Sequence, residues 1–233
     1  METSEGGVGG RHALVTGASS GIGRTITEAL LASGWHVTGI SRSEPEFDHP
    51  DFCFVPADLL DAAATDAALT EIAQVDAAIH AAGLLRVGRH DEMDLAEGAV
   101  MWRLHVDAAA RMIQHTAPRM PDGGRIVLIG SRVANGAAGR ALYAASKAAL
   151  VGLGRSVAAE LAPRRITVNI VAPGATDTPM LRDPARASEA PRLPPMGRLV
   201  RLDEVAGTVA FLLSPSAGAI TGQSITICGG GSL

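Results

Sequence analysis

Aromatic residues are scarce in this sequence of 233 residues. Phe, Trp and Tyr together make up 3% of the chain and tyrosine occurs once, whereas 47% of the residues are hydrophobic. The core must therefore be built mainly from Ala, Val, Leu and Ile, which suits helices that pack closely on a sheet. The scarcity also argues against a protein that binds nucleic acid by stacking bases on aromatic rings.

Large net charge and long apolar runs are also lacking. The formal net charge is −4, and acidic and basic residues are interspersed, so the sequence offers no basic surface for nucleic acid or an anionic membrane. No run reaches the roughly 18 apolar residues that a transmembrane helix needs. Residues 1–10 have neither the basic start nor the apolar run of a secretory signal. We therefore expect a cytoplasmic protein with a small-molecule partner.

Cysteine is nearly absent, and the histidines form no recognisable ligand pattern. Cys53 and Cys228 lie far apart in separate apolar runs, which predicts two buried, reduced thiols. The spacing of His36, His90 and His115 matches no metal-binding motif. The sequence therefore predicts neither a disulfide nor a metal site.

Short apolar runs alternate with segments of helical period along most of the chain. Helices are predicted at about 21–33 and 141–162, and strands at 12–18, 35–41, 52–58, 75–83, 125–131, 166–174 and 224–230. The pattern predicts an α/β fold with a single Rossmann-type doubly wound sheet of seven mainly parallel strands and helices on both faces. Residues 1–10 are expected to be a flexible tail and 11–233 one dinucleotide-binding and catalytic domain. Five prolines within 179–200 predict a lid or substrate loop there.

The segment "TGASSGIG" (16–23) joins the first predicted strand to the first predicted helix. Its glycines permit a tight turn and a close backbone approach, and the helix N-terminus offers N–H groups and partial positive charge to a pyrophosphate. Glycine-rich turns can also merely pack a helix on a sheet, but the strand before and the helix after favour a dinucleotide cradle. The predicted cofactor-binding residues of this segment are Gly17, Ser19, Ser20, Gly21 and Ile22.

The acidic residue expected about twenty positions further on, where it would bind a ribose 2′-hydroxyl, is missing. Ser41 and Arg42 stand there instead. A hydroxyl and a guanidinium can hydrogen-bond a 2′-phosphate that a carboxylate would repel, so NADP(H) is favoured, although NAD(H) is possible and Arg42 could be a solvated loop residue. Asp58, followed by Leu59, is expected beside the adenine unless it caps a helix.

The single tyrosine, Tyr143, lies four residues before Lys147 in the helical segment "ALYAASKAAL" (141–150), so both side chains emerge from one helix face. A phenol with a pKa of about 10 exchanges protons poorly at neutral pH, but a nearby cation lowers that pKa by roughly 1–3 units. Ser131, at the end of the fifth strand, can hydrogen-bond a substrate carbonyl or hydroxyl. These three residues are the candidate catalytic group.

Together these motifs resemble the short-chain dehydrogenase/reductase family. The resemblance runs from residue 11 onward and adds "HAAG" (80–83), "VNIVAPGATDTPM" (168–180) and "ITGQSITICGGG" (220–231). It implies that Tyr143 gives or takes the proton, that Lys147 also binds the nicotinamide ribose, and that Ser131 positions the substrate. The further cofactor contacts that it implies are Leu59, Ala81, Ala82, Gly83, Pro173, Gly174, Thr176 and Thr178.

His105 departs from the family pattern. The family usually has an asparagine at this position, where it holds a water that links the lysine to solvent. A neutral imidazole both donates and accepts, so His105 is expected to hold that water or to shuttle the proton itself, and is counted with the catalytic residues. The alternative is a packed histidine with the relay lost.

The substrate is predicted less specifically. The chain resembles 3-oxoacyl-carrier-protein reductases, which implies an NADPH-dependent ketoreductase acting on a 3-oxoacyl or polyketide-like ketone, free or carrier-bound. Residues 81–88 and 173–180 are also similar to 2,3-dihydro-2,3-dihydroxybenzoate dehydrogenases, which use NAD. The arginines that could favour an anionic substrate, or form a solvated rim, are Arg132, Arg182, Arg186, Arg192 and Arg198.

Two further expectations concern the whole molecule. By the resemblance, the helices near 95–120 and 141–162 pair with copies of themselves, which implies a homotetramer or homodimer. A non-catalytic nucleotide-binding subunit is the alternative to an enzyme, and Ser131, Tyr143 and Lys147 argue against it.

Overall fold

The computed structural model describes residues 10–182 and 193–233. In this part of the chain, seven strands form one sheet in the order β3-β2-β1-β4-β5-β6-β7, and each neighbouring pair is parallel. The strands are β1 His12–Thr16, β2 His36–Ser41, β3 Phe52–Pro56, β4 Ala77–His80, β5 Arg125–Ile129, β6 Thr167–Pro173 and β7 Ser224–Ile227. This confirms the predicted doubly wound α/β fold.

Helices cover both faces of the sheet and connect successive strands, except β2 and β3, which are joined by a loop. They are α1 Gly21–Ala32, α2 Ala62–Glu71, α3 Leu95–Trp102, α4 Ala108–Thr116, α5 Ala141–Leu161 and α6 Leu202–Leu212. Apolar side chains of α1 and α6 pack on one face, and those of α2, α4 and α5 pack on the other. Central strands such as β6 are buried along their whole length because both of their faces are covered.

A π-helical turn, Arg103–Asp107, separates α3 from α4. It lies next to the sheet, and His105 within it is completely buried. π-Helical turns inside longer helices occur frequently at functional sites. This turn is therefore of interest for the site described below.

Several strands end before the predicted boundary. β1 ends at Thr16, β4 at His80 and β5 at Ile129, two to three residues earlier than the apolar patterns indicated. The residues that follow leave the sheet and turn across its carboxyl edge. In a doubly wound sheet this edge binds ligands at the point where the strand order reverses, here between β1 and β4.

The cysteine prediction was half wrong. Cys228 is buried, but Cys53 is exposed. Cys53 lies on β3, the strand at the edge of the sheet, where none of the five residues is fully buried.

The predicted tail falls mostly outside the described residues, and so does the middle of the predicted lid at 183–192. The start of that loop is a short 3₁₀ turn, Pro179–Arg182, and α6 begins shortly after its end. None of the helices in the described ranges has the length and apolarity to cross a membrane.

Candidate active site

A cleft of about 1040 Å³ opens at the carboxyl edge of the sheet. All of the predicted site residues line it, although they come from eight different segments of the chain. They are Gly17, Ser19, Ser20, Gly21, Ile22, Ser41, Arg42, Asp58, Leu59, Ala81, Ala82, Gly83, His105, Ser131, Tyr143, Lys147, Pro173, Gly174, Thr176 and Thr178. The topology therefore brings together the residues that the sequence motifs singled out.

The glycine loop after β1 is held by two close backbone contacts. Gly17 has a φ of +72°, and a Cβ there would lie 2.8 Å from the backbone of Ala82. A Cβ on Gly23, in the first turn of α1, would lie 2.1 Å from the carbonyl oxygen of Gly17. Neither position accepts a side chain, so the loop can pass close to β4 and leave its outer surface open to a ligand.

The N-terminus of α1 lacks the capping that other helices of the fold possess. Asp61 and Asp94 accept hydrogen bonds from the first backbone N–H groups of α2 and α3. At α1 the N-cap residue, Ser20, makes no side-chain hydrogen bond to the helix, and the first turn contains no acidic residue. Its N–H groups and partial positive charge therefore face the cleft, an arrangement that suits a phosphate group.

The ends of β2 and β3 form the far end of the cleft. The Ser41 hydroxyl donates to the carbonyl oxygen of Ser43 at 2.9 Å, so its hydrogen is already engaged and Arg42 is the stronger candidate for an anion. Asp58 does not cap α2, since Asp61 does so; its Oδ1 accepts from the backbone N–H of Leu60 at 3.0 Å. Asp58 is also the single carboxylate among the described residues that line the cleft.

Lys147 is buried, and its Nζ donates to the carbonyl oxygen of Ile129 at 2.8 Å. This bond ties α5 to the end of β5, next to Ser131. Burial disfavours the ammonium and lowers the pKa of Lys147 to about 7. Ser131 caps the short turn after β5, where its Oγ accepts from Val133 N at 3.2 Å, so its O–H remains able to donate to a substrate.

Tyr143 lies in the first turn of α5, one turn before Lys147. Its ring meets the His105 ring edge-on, with the ring centroids 5.6 Å apart and the planes at 85°. The side chains of Tyr143, Lys147 and Ser131 all line the cleft, where they can assist proton transfer to a bound oxygen.

The surroundings of His105 differ from those expected of a proton relay. Its Nδ1 lies 2.9 Å from Ser146 Oγ, and its Nε2 accepts from the backbone N–H of Leu84 at 3.1 Å. Burial and, secondarily, the charge of Lys147 lower the pKa of His105 far below its usual range. Both ring nitrogens are thus engaged by protein groups, which favours the packed-histidine interpretation over the shuttle.

A second buried histidine, His80, was not singled out from the sequence. Its Nδ1 lies 2.8 Å from Thr16 Oγ1, and its Nε2 lies 3.1 Å from the carbonyl oxygen of Leu104 in the π-helical turn. Burial and then the charge of Lys147 lower the pKa of His80 to about 3. The position of His80 at the start of "HAAG" was the sequence feature that could have identified it. Ser146, three residues after Tyr143 and therefore on the same helix face, was also missed.

The predicted arginine rim is only partly present. Arg132 lines the cleft and donates to the carbonyl oxygen of Gly231 at 2.9 Å. Arg198 is bound to Glu204 through both of its terminal nitrogens, at 2.8 and 2.7 Å, and does not line the cleft. Arg186 and Arg192 lie outside the described residues, and so does the side chain of Arg182.

Comparison with known proteins identifies the family of this chain. A family model described as Enoyl-(Acyl carrier protein) reductase matches residues 17–232. The 3-oxoacyl-[acyl-carrier-protein] reductase of Salmonella typhimurium is 37% identical over 237 residues, which cover 95% of this chain and 97% of that protein. The 2,3-dihydro-2,3-dihydroxybenzoate dehydrogenase of Escherichia coli is 34% identical over 243 residues, which cover 96% and 98%.

A solved structure shows the same likeness. The blue fluorescent protein from a metagenomic library, solved in complex with NADPH, superposes with a TM-score of 0.86 at 32% identity and covers 96% of this chain and 98% of its own. Motifs, fold and relatives agree along nearly the whole length. The chain belongs to the short-chain dehydrogenase/reductase family and is an oxidoreductase.

Proposed function

We propose that the protein is an NADPH-dependent ketoreductase that converts a 3-oxoacyl or polyketide-like ketone to the secondary alcohol. The observation that carries this proposal is the meeting of Ser131, Tyr143 and Lys147 in one cleft with the glycine loop. Similarity to 3-oxoacyl-carrier-protein reductases supports the substrate class.

The lining of the cleft suits a nicotinamide dinucleotide. The uncapped N-terminus of α1 suits the pyrophosphate, Arg42 suits a 2′-phosphate, and the carboxylate of Asp58 can accept from the adenine amine. Pro173, Gly174, Thr176 and Thr178 also line the cleft and would hold the nicotinamide. When bound, NADPH supplies the hydride for the carbonyl carbon.

The chain's own residues handle the oxygen of the substrate. Ser131 donates a hydrogen bond to the carbonyl oxygen, and Tyr143 transfers its phenolic proton to that oxygen as charge develops there. Lys147, one helical turn away, favours the phenolate that this transfer leaves behind. Its ammonium has two hydrogens beyond the one given to Ile129, which can bind the nicotinamide ribose.

The proposal is tested by a cofactor-matched screen of the purified protein. Acyl thioester and polyketide-like ketones are offered with NADPH, and cis-dihydrodiols with NAD⁺, and absorbance of the reduced cofactor is followed. We expect turnover with ketones and NADPH. Turnover confined to dihydrodiols and NAD⁺ would establish the second candidate, which the similarity to the dihydroxybenzoate enzyme supports. Cofactor binding without turnover of either kind would reject both substrate classes.

Arg42→Ala should reduce the preference for NADPH. A hydrogen bond to a charged group contributes about 1.5 kcal/mol or more, so the ratio of NADH to NADPH dissociation constants should fall roughly tenfold. Cofactor fluorescence titration measures both constants. Arg89→Ala is the matched control, because Arg89 is an exposed arginine paired with Asp91 and does not line the cleft. An unchanged ratio in Arg42→Ala would remove the 2′-phosphate assignment.

Assembly into a homodimer or homotetramer stays a prediction. Exposed apolar side chains on and beside α3, among them Leu95 and Trp102, are compatible with a helix-to-helix contact between copies. Sedimentation measurements of the purified protein would decide the oligomeric state.

A further inference from the structure

His105 connects the loop after β4 to the helix turn that carries Tyr143. Its Nε2 lies 3.1 Å from the Leu84 backbone nitrogen, and its Nδ1 lies 2.9 Å from Ser146 Oγ. The Ser146 hydroxyl in turn donates to the carbonyl oxygen of Tyr143 at 2.8 Å. A continuous series of hydrogen bonds therefore runs from Leu84 to the backbone of Tyr143.

The hydrogens in this series can be placed from the partners. A peptide N–H only donates, so Nε2 of His105 must accept, and a neutral ring then carries its hydrogen on Nδ1. That hydrogen is donated to Ser146, whose own hydrogen goes to Tyr143. Every member is satisfied with His105 as the neutral Nδ1–H tautomer.

The same arrangement blocks proton conduction through the ring. Conduction through an imidazole requires an exchangeable group at each nitrogen, and Nε2 faces a peptide N–H that does not give up its proton on the timescale of turnover. Formation of an imidazolium is opposed by complete burial and by the charged groups that face the ring, which are Lys147 on α5 and, when protonated, His80 on β4. His105 is thus suited to hold a position and not to move a proton.

The first turn of α5, which carries Tyr143, is not stabilised by a side-chain cap. The N-cap residue of α5 provides no side-chain hydrogen bond to the first turn, unlike Asp61 and Asp94 at α2 and α3. Ser146 is buried against His105, and the edge of one aromatic ring rests against the other. The contacts therefore restrain both the backbone and the ring of Tyr143.

We infer that His105 is a positioning residue for Tyr143, that it acts through Ser146, and that it is not on the proton path. The positioning role in catalysis rests on the proposed function, whereas the neutral Nδ1–H form of His105 does not. Nitrogen-15 spectroscopy tests the protonation state and tautomer of His105, and kinetics tests its positioning role.

The first experiment records long-range ¹H–¹⁵N spectra of protein labelled at histidine, with the signal of His105 assigned by its absence in His105→Leu, or in His105→Asn if the leucine variant does not fold. For the folded protein, at every pH between 5 and 8 at which it stays folded, we expect the pattern of a neutral ring with the hydrogen on Nδ1. An imidazolium pattern, or a hydrogen on Nε2, would overturn the inference. This result does not depend on any enzymatic activity.

The second experiment compares ketone reduction by His105→Leu, Ser146→Ala and the double variant. Each single change should lower kcat by about tenfold through displacement of the phenol, with the cofactor dissociation constant and the pKa values of the kcat profile unchanged. Both residues act through one series of hydrogen bonds. The kcat of the double variant should therefore be no lower than that of the less active single variant. His105→Gln, whose amide can still accept from Leu84, should recover part of kcat. His115→Leu is the control, since His115 lies on α4 and pairs with Asp66 on α2.

The outcomes separate the alternatives. Three results would each overturn the positioning role. They are a kcat loss in the double variant equal to the product of the two single losses, an unchanged kcat in both single variants, and the absence of a pKa from the pH profile of kcat in His105→Leu. If the protein reduces no ketone, the proposed function fails and the positioning role fails with it, while the nitrogen spectrum still decides the state of His105. If His105→Leu does not fold, Ser146→Ala and His105→Gln carry the kinetic test.

Discussion

Replacement of Tyr143 by phenylalanine should lower kcat for ketone reduction by about 10³-fold, while NADPH still binds. The change removes the phenolic oxygen and keeps the ring that packs against His105. General acid catalysis by a positioned side chain typically contributes 10²–10⁴-fold, and neither Ser131 nor Lys147 can take over the proton at the same place. Steady-state kinetics with the best ketone from the screen and fluorescence titration of NADPH measure the two effects.

The control for this variant concerns the fold. Thermal unfolding should be close to that of the wild type, because α5 retains the contacts of Lys147 and Ser146 with Ile129 and His105. Activity that survives in Tyr143→Phe would contradict the mechanism, and loss of NADPH binding would show that the phenol serves the cofactor instead. Since Tyr143 is the only tyrosine, ultraviolet titration also reports its pKa directly once the two tryptophans are accounted for. A value at or above about 10 would argue against activation by Lys147.

The fold and the lining of the cleft could be predicted from local sequence patterns. A glycine loop between a strand and a helix, a Tyr and a Lys four residues apart, and a Ser after a strand each place a side chain at a strand end or on a known helix face. Parallel strands then collect those ends at one edge of the sheet. This is why residues as distant in sequence as Gly17 and Thr178 line the same cleft.

The role of His105 could not be predicted in the same way. Its expected function was taken from its position in the family pattern, whereas its state depends on Leu84 and Ser146, which are 21 and 41 residues away. No local pattern specifies which nitrogen faces a peptide N–H. His80 escaped notice for a similar reason, since its partners Thr16 and Leu104 lie on β1 and in the π-helical turn.

Acid should unfold this protein steeply because two histidines are buried without charge. His80 and His105 are fully buried, and their folded-state pKa values lie below the ordinary value of about 6.5, that of His80 at about 3. The unfolded chain therefore binds protons as the pH falls below about 6.5, while the folded protein does not bind them until far lower pH. Protonation thus favours unfolding in the window from about 6.5 down to about 3, and stability is regained as the pH rises through it.

The size of this effect follows from the number of protons. Each buried neutral histidine contributes a slope of about 1.4 kcal/mol per pH unit, so two of them remove on the order of 5 kcal/mol of unfolding free energy between pH 6.5 and 4.5. That is a large part of the stability of an ordinary domain. Carboxylates such as Asp66 and Glu204, whose pKa values are lowered by bonded arginines, add their own loss at lower pH, so the measurement is confined to this interval.

His80→Asn should reduce the slope of the unfolding free energy against pH by about half. Asparagine supplies one donor and one acceptor toward Leu104 and Thr16 but cannot take up a proton, so only His105 of the buried pair then titrates on unfolding. The free energy of unfolding from urea titrations at several pH values measures the slope, which is independent of any constant loss that the shorter side chain causes. His90→Asn, at a solvent-exposed histidine, should leave the slope as in the wild type. Parallel lines for wild type and His80→Asn would mean that His80 is charged or solvated in the folded protein and does not cause the acid sensitivity.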